Sequence, residues 1–382
     1  MDYYQESLKL HAAKKGKIEV ISKVKVESKD DLSLAYSPGV AEPCREIAKN
    51  PDEVYKYTSK GNLVAVVTDG SAVLGLGNIG TKAAMPVMEG KAILFKEFGG
   101  VDAFPICLDS QDTEEIIQAV KMIAPGFGGI NLEDISAPRC FEIEQRLIEA
   151  LDIPVFHDDQ HGTAIVVLAG LINSLKLTDR RLDEVKVVVN GVGAAGVAIT
   201  KLLITYGVKP ENFLLCDSRG IIYKGRENLN PVKEELAQIT NANQIQGGLA
   251  DAMQGADVFL GVSLAKLVTQ DMVRSMAKDP IIFAMANPEP EIMPDLALEA
   301  GAAIVATGRS DFPNQVNNVL GFPGIFRGVL DAGIRIIDNK VKVTAAEAIA
   351  NYLEHPTRDA IIPSALDKKV AEAVAQAIKN LA

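Results

Sequence analysis

The sequence predicts a two-domain α/β chain whose second half is a doubly wound sheet of the Rossmann type. Three observations carry this. The 382 residues exceed one ordinary core, at roughly 150 residues per domain. From Asn62 onward, short β-branched runs alternate with longer amphipathic ones, as in a largely parallel sheet covered by helices. A glycine turn then follows directly on a strand that ends at Asn190.

The first 60 residues read as helical and irregular, with Lys-rich and Glu-rich stretches and a Ser37-Pro38-Gly39 turn. Residues 63–68 (LVAVVT), 103–108 (AFPICL) and 129–132 (GINL) are predicted buried strands, and 113–122 and 138–151 helices. Residues 154–159 end another strand in a polar cluster, and 163–177 are apolar nearly all round, as in a buried helix. The domain junction is placed there, giving domains of residues 1–160 and 161–382. The second series of strands comprises 185–190, 212–217, 256–261, 281–287 and 302–307. A helical tail from about residue 344 is expected to pack back on the core.

Hydrophobic residues make up 48% and charged residues 23%, a globular composition. The net charge of −11 argues against a nucleic-acid or anionic-membrane partner, either of which needs a basic patch, but not against a small anionic substrate held by local cations or a metal. No apolar run approaches the ~20 residues of a membrane span. The start lacks an apolar signal region. Cys44, Cys107, Cys140 and Cys216 lie far apart, a spacing that suits buried reduced thiols, so a cytoplasmic setting is expected.

Gly191, Val192, Gly193, Ala194, Ala195 and Gly196 fit G-x-G-x-x-G between a strand and a helical run. Gly191 would permit the tight turn, Gly193 the approach of a pyrophosphate, and Gly196 close helix–strand packing, with unpaired N–H groups at the helix start facing the phosphates. Asp217, ending the next strand, can accept from the adenosine ribose, which favours NAD. Arg219 could instead pair with a 2′-phosphate, which leaves NADP open. A second glycine pattern, residues 75–80, is separated from its strand by residues 69–74. It is expected to be a substrate-side loop rather than a second nucleotide turn.

Glu133-Asp134 and Asp158-Asp159 each follow a strand. Neighbouring residues on a regular strand face opposite ways, so Glu133 and Asp134 share one ion only if the backbone leaves the ladder there. Hard oxygen donors suit Mg²⁺ or Mn²⁺; from spacing alone, helix-capping or solvated carboxylates explain the pattern equally well. His157 and His161 have the spacing of a zinc-protease pair, but the entry is extended and Asp158 stands where that motif needs Glu.

Taken together, residues 34–44 (LAYSPGVAEPC), 68–80 (TDGSAVLGLGNIG), 88–95 (MEGKAILF), 130–136 (INLEDIS), 156–164 (FHDDQHGTA), 283–291 (FAMANPEPE) and 314–328 (NQVNNVLGFPGIFRG) resemble, in this order, the malic enzyme family in its short bacterial-type form. The resemblance implies oxidation of malate by NAD or NADP and decarboxylation to pyruvate, with Mg²⁺ or Mn²⁺ bound. It further implies Tyr36 as general acid and Lys91 as general base, with Glu133, Asp134 and Asp159 as metal ligands. Asn287, Asn317 and Asn318 would hold the substrate carboxylate or the nicotinamide end, and Asp158 would orient Lys91. Burial and a neighbouring dication are expected to lower the Lys91 pKa so that it can act as a base.

A homodimer is implied, and whether residues such as Lys91 complete a neighbour's site stays open. Larger relatives carry Glu-Arg where this chain has Ser71-Ala72, so their carboxylate-binding arginine is missing. A malolactic or oxaloacetate-decarboxylating specialist would share these motifs. A non-catalytic ligand sensor is disfavoured, because it has no need of Tyr36, Lys91 and the three carboxylates together.

Overall fold

The computed structural model describes residues 2–73 and 75–382. Leu74, in the stretch before the second glycine pattern, lies outside the described residues. The N-terminal segment forms α1 (Tyr3–Lys14), α2 (Lys29–Ala35), α3 (Ala41–Lys49) and α4 (Val54–Tyr57), none of which has a buried residue. The first sheet then follows as β1 (Leu63–Thr68), α5 (Thr81–Gly99), β2 (Asp102–Cys107), α6 (Thr113–Ile123), β3 (Gly129–Leu132), α7 (Arg139–Ala150) and β4 (Val155–His157). A long helix, α8 (Asp158–Leu177), leads to the second sheet.

That sheet is built from β5 (Val187–Asn190), α9 (Ala194–Tyr206), β6 (Phe213–Asp217), β7 (Gly220–Ile221), α10 (Pro231–Ile239), α11 (Leu249–Met253), β8 (Val258–Gly261), α12 (Gln270–Arg274), β9 (Ile281–Ala284), α13 (Pro294–Glu299) and β10 (Ile304–Thr307). The chain ends in α14 (Phe322–Ala332), α15 (Asn339–Asn351) and α16 (Lys369–Lys379).

The first sheet runs β2-β1-β3-β4, all parallel. The second runs β10-β9-β8-β5-β6-β7, parallel except for the short antiparallel β7. Central strands such as β1 and β5 are apolar on both faces, as strands covered by helices on either side must be. In the second sheet the strand order reverses between β5 and β8, the place where such folds open a ligand crevice at the carboxyl edge.

The tail returns to the first sheet. Phe95 of α5 meets Phe322 and Phe326 of α14 edge-on, at centroid distances of 4.7 and 5.2 Å. α16 lies close against α14 because Gly324 and Gly328 carry no side chain: a Cβ on Gly324 would stand 2.6 Å from the Ala371 carbonyl. Two expectations need correction. Helix α8 begins at Asp158 rather than 163, because two acidic residues in a first turn suit the helix dipole better than the extended reading allowed. Cys44 is exposed on α3, although Cys140 and Cys216 are buried, and all four thiols are free.

Candidate active site

β3 and β4 pair in parallel with Leu132 opposite His157, so the residues that follow them emerge side by side. Glu133 continues the ladder through its N–H to the Val67 carbonyl (2.9 Å). Asp134 then breaks it at φ +56°, and its N–H donates to Asp159 Oδ2 at 2.7 Å. The ladder is left at the point required, and Glu133, Asp134 and Asp159 each bring a ligand atom within 4.8 Å of the others. These are hard oxygen donors with no thiolate, a set that fits Mg²⁺ or Mn²⁺.

Lys91, from the middle of α5, projects into this cluster. Its ammonium is 2.6 Å from Asp158 Oδ2, 3.0 Å from Glu133 Oε1 and 4.4 Å from the Phe322 ring centroid, and its side chain is 7% exposed. Asn318 donates to the same Asp158 oxygen, and Asn131 donates to Glu133 Oε2 at 2.9 Å. The Lys91 ammonium thus faces Glu133, Asp158 and Asp159, a surplus of negative charge that a dication would offset. Burial pushes the Glu133 carboxyl well up, with Asp159, Asp158 and Asp134 adding to it against the pull of Lys91. Burial opposes the charge on Lys91, yet Asp158 and Glu133 outweigh it and hold the ammonium well above the ordinary lysine range. The expected lowering therefore does not come from these protein groups.

Two further residues prepare the start of α8. Gly162, four residues after Asp158, makes room for it: a Cβ there would lie 1.9 Å from Asp158 Oδ1. Glu144 of α7 is buried and accepts from the His157 N–H and from the side chains of Gln160 and His161. Burial disfavours its charge, but His161 and Lys342 overcome this and bring the carboxyl down to about 2.

At the second sheet, Gly191 (φ +104°) turns the chain sharply, with a would-be Cβ 2.6 Å from the Val262 carbonyl. Gly196 packs on Gly191, where a Cβ would meet the carbonyl at 2.1 Å, whereas Gly193 faces open space. Val192 is buried behind the turn, Ala194 opens α9 against the first sheet's core, and Ala195 packs on the central core. The turn therefore abuts the first domain. The second glycine pattern does not open a helix at its first glycine; Val73 and Gly77 close a turn instead. Its Gly75 lies within 3.4 Å (would-be Cβ) of the Asn287 carbonyl, on the second domain's side of the crevice.

Not every predicted residue enters the site. Tyr36 caps α2 and is 69% exposed, with no contact to Lys91. Asn317 Oδ1 accepts from the Val319 N–H (3.0 Å), a local cap, while Asn287 is half-buried beside Gly308. Asp217 is already engaged. Arg226 grips both of its oxygens (3.0 and 2.6 Å), Lys233 adds 2.8 Å and the Arg219 N–H 3.0 Å. Burial opposes the charge on Asp217, but these donors hold its carboxyl far below the usual range. With both oxygens so occupied, the carboxylate has little capacity left for a ribose.

Sequence reasoning missed Glu144, Gly162, Arg226, Lys233 and Glu291. Glu291 is buried and ties the loops after β8 and β9 by accepting from the Ser263 and Ala286 N–H groups, each at 3.0 Å. Only Gly162 left a local signal, a glycine in a helical run four residues after an aspartate. Beside Ala72, Arg139 is tied to Asp69 (3.0 Å), Ser71 and Ser136 (3.1 Å each).

A carboxylate–lysine cluster at one sheet's carboxyl edge, facing a dinucleotide turn on another, defines a two-domain nicotinamide-dependent oxidoreductase. Comparison with known proteins narrows the class. The malic enzyme N-terminal domain family matches residues 15–148, and the malic enzyme NAD-binding domain family matches residues 160–382. The chain is 59% identical to the bifunctional malic/malolactic enzyme of Bacillus subtilis (strain 168), over all of this chain and 93% of that one. It is 58% identical to the NAD-dependent malic enzyme of Geobacillus stearothermophilus, over 96% of this chain and 77% of the relative. The crystal structure of malic enzyme from Pyrococcus horikoshii superposes with a TM-score of 0.95 at 50% identity, covering 99% of this chain and 90% of that one. The chain belongs to the malic enzyme family: it is an oxidoreductase that decarboxylates malate oxidatively with NAD or NADP. Among the described residues, no helix is long and apolar enough to cross a membrane.

Proposed function

We propose that this chain runs malate oxidation on a divalent cation, Mg²⁺ or Mn²⁺, held by Glu133, Asp134 and Asp159, with Lys91 as the proton acceptor. The observation that carries the reading is the placement of the Lys91 ammonium against Glu133 and Asp158, beside the three-carboxylate cluster. When bound, the cation would supply two charges that offset the field around Lys91 and a Lewis acid that polarises the C2 oxygen. The nicotinamide would accept hydride from C2.

The chain's own residues do the rest. Asp158, held by Asn318, fixes the Lys91 Nζ, which takes the proton of the C2 hydroxyl. Phe322 and the buried sheet edge keep water from that proton. After CO₂ leaves, C3 needs a proton, and we assign its delivery to Tyr36 of a second copy of the chain. Tyr36 stands outside its own site on a segment whose Val20, Ile21, Val24, Leu32 and Leu34 are exposed, as an arm that packs on another subunit would be. The setting is the cytoplasm, where four unpaired thiols stay reduced. The cofactor is NAD or NADP, since the Arg226 and Lys233 cations pair with Asp217 and can balance a 2′-phosphate.

A malate assay with NAD or NADP, each with and without Mn²⁺, tests this, with pyruvate and lactate quantified. Pyruvate with reduced cofactor, only when metal is present, is expected. Metal-independent turnover would remove the carboxylate assignment, and lactate without net reduction would make the enzyme malolactic. Mixing Tyr36→Phe and Lys91→Ala chains tests the shared site. One wild-type site per hybrid dimer should restore activity that neither variant has alone, whereas sites complete within one chain would stay silent.

A further inference from the structure

One group of buried charged residues takes no part in the chemistry above. Glu144, on α7, is 6% exposed, and its carboxylate accepts from the His157 N–H at 2.9 Å, Gln160 Nε2 at 3.2 Å and His161 Nε2 at 2.9 Å. Lys342 of α15 lies 3.3 Å from the same His161 nitrogen. A carboxylate is costly to bury unless its oxygens are satisfied, and here all three donors come from residues 157–161. That stretch brackets Asp158 and Asp159.

We infer that Glu144 is a positioning residue that locks the first turn of α8 to α7, and thereby sets where Asp158 meets Lys91 and where Asp159 enters the cation site. Three features of the turn make it depend on such a lock. The Asp159 carboxylate takes the Asp134 N–H through Oδ2, so a shift of the backbone at residue 159 would break this bond. Asp158 is folded into the gap left by Gly162, so a roll of the helix start would drive its carboxylate into the helix or off Lys91. The His157 ring makes no hydrogen bond among the described residues, which leaves Glu144 as the polar tie between this turn and the adjacent helix. Glu144 itself touches none of the proposed metal ligands, and it acts through the backbone that carries them.

The inference rests on the cation site proposed above, and the test separates the two. Full-length Glu144→Gln keeps the shape and removes the charge. Glu144→Asp keeps the charge and shortens the reach. Mn²⁺ binding is read directly from the electron paramagnetic resonance of free Mn²⁺, without substrate, alongside reduced-cofactor binding by fluorescence. Supporting ligand orientation is ordinarily worth about 10- to 100-fold in metal affinity. Each variant should bind Mn²⁺ at least about ten-fold more weakly, bind cofactor as the unaltered enzyme does, and recover much of its kcat at saturating Mn²⁺. A folded variant with unaltered Mn²⁺ affinity overturns the assignment. So does failure of both variants to fold, since Glu144 is then needed for folding alone. If the unaltered enzyme binds no Mn²⁺, the cation site falls and this inference with it.

Discussion

The two halves of the active site are built by opposite means. The cofactor half is made of absences: Gly191 and Gly196 leave no room for a Cβ, and Gly193 opens onto the crevice. The half proposed to take malate is made of charge: Lys91 and the carboxylates of Glu133 and Asp158 are buried together, with Asp134 and Asp159 alongside. A backbone site fails when atoms are added, and a charged site fails when the balance is changed. The halves should therefore fail separately.

The largest expected effect follows from removing the Lys91 ammonium. Lys91→Ala should cut malate oxidation by about 10²–10⁴, the range for losing a positioned general base, while cofactor affinity stays within two-fold. Steady-state turnover and fluorescence titration measure the two. Retained turnover would remove the role given to Lys91.

The comparison also explains what could be read in advance. The glycine turn is local, since strand, turn and helix are consecutive residues, and it was legible from spacing. Strand positions were legible too, because buried β-branched runs such as 63–68 have few other uses. The carboxylate site was not, for it joins Glu133, Asp158 and Lys91 from different elements. Spacing alone left Glu133 and Asp134 equally open to a metal and a capping reading, and the family resemblance favoured the metal. Asp217 shows the converse failure. Its place at a strand end was correct, but Arg226 and Lys233, nine and sixteen residues on, take up its carboxylate, and no local pattern announces them.

Each half contains one exception to the rule, and these sharpen it. In the malate half the exception is Gly162. Alanine suits a helix interior better than glycine by about 1 kcal/mol, but disturbing a buried ion pair costs about 3–5 kcal/mol, so Gly162→Ala should fold less stably than the unaltered chain. Its Cβ would displace the Asp158 carboxylate, 1.9 Å away, and in the folded fraction kcat should fall by about 100-fold with near-normal cofactor binding. Wild-type turnover would show that Asp158 does not hold Lys91 in the working geometry. Gly196→Ala is the matched control in the other half. It should weaken cofactor binding by about 1–3 kcal/mol and leave Mn²⁺ binding unaltered.

In the cofactor half the exception is Asp217, where charge decides. Asp217→Asn removes the negative partner of Arg226 and Lys233. The site then carries one more net positive charge where a 2′-phosphate would lie. The ratio of kcat/KM for NADP over NAD should rise about ten-fold, the effect of roughly 1.4 kcal/mol, and should shrink with added salt. An unmoved ratio would place the 2′ position away from this cluster.

The smallest effect concerns Glu144 and stability rather than turnover. Its carboxyl sits at about 2 in the folded chain, against 4.5 for an ordinary glutamate, so the unfolded chain takes up the proton first as pH falls. The stabilisation from the depressed carboxyl is whole above about pH 5 and is lost progressively between about 4.5 and 2. By pH 3.5 the loss amounts to about 1 kcal/mol. Denaturant unfolding of the unaltered enzyme and Glu144→Gln, each at pH 7 and pH 3.5, reads this directly. The gap between the two proteins should narrow by about that amount, because glutamine has no proton to gain. A gap that stays constant would mean that His161 and Lys342 do not stabilise the Glu144 charge.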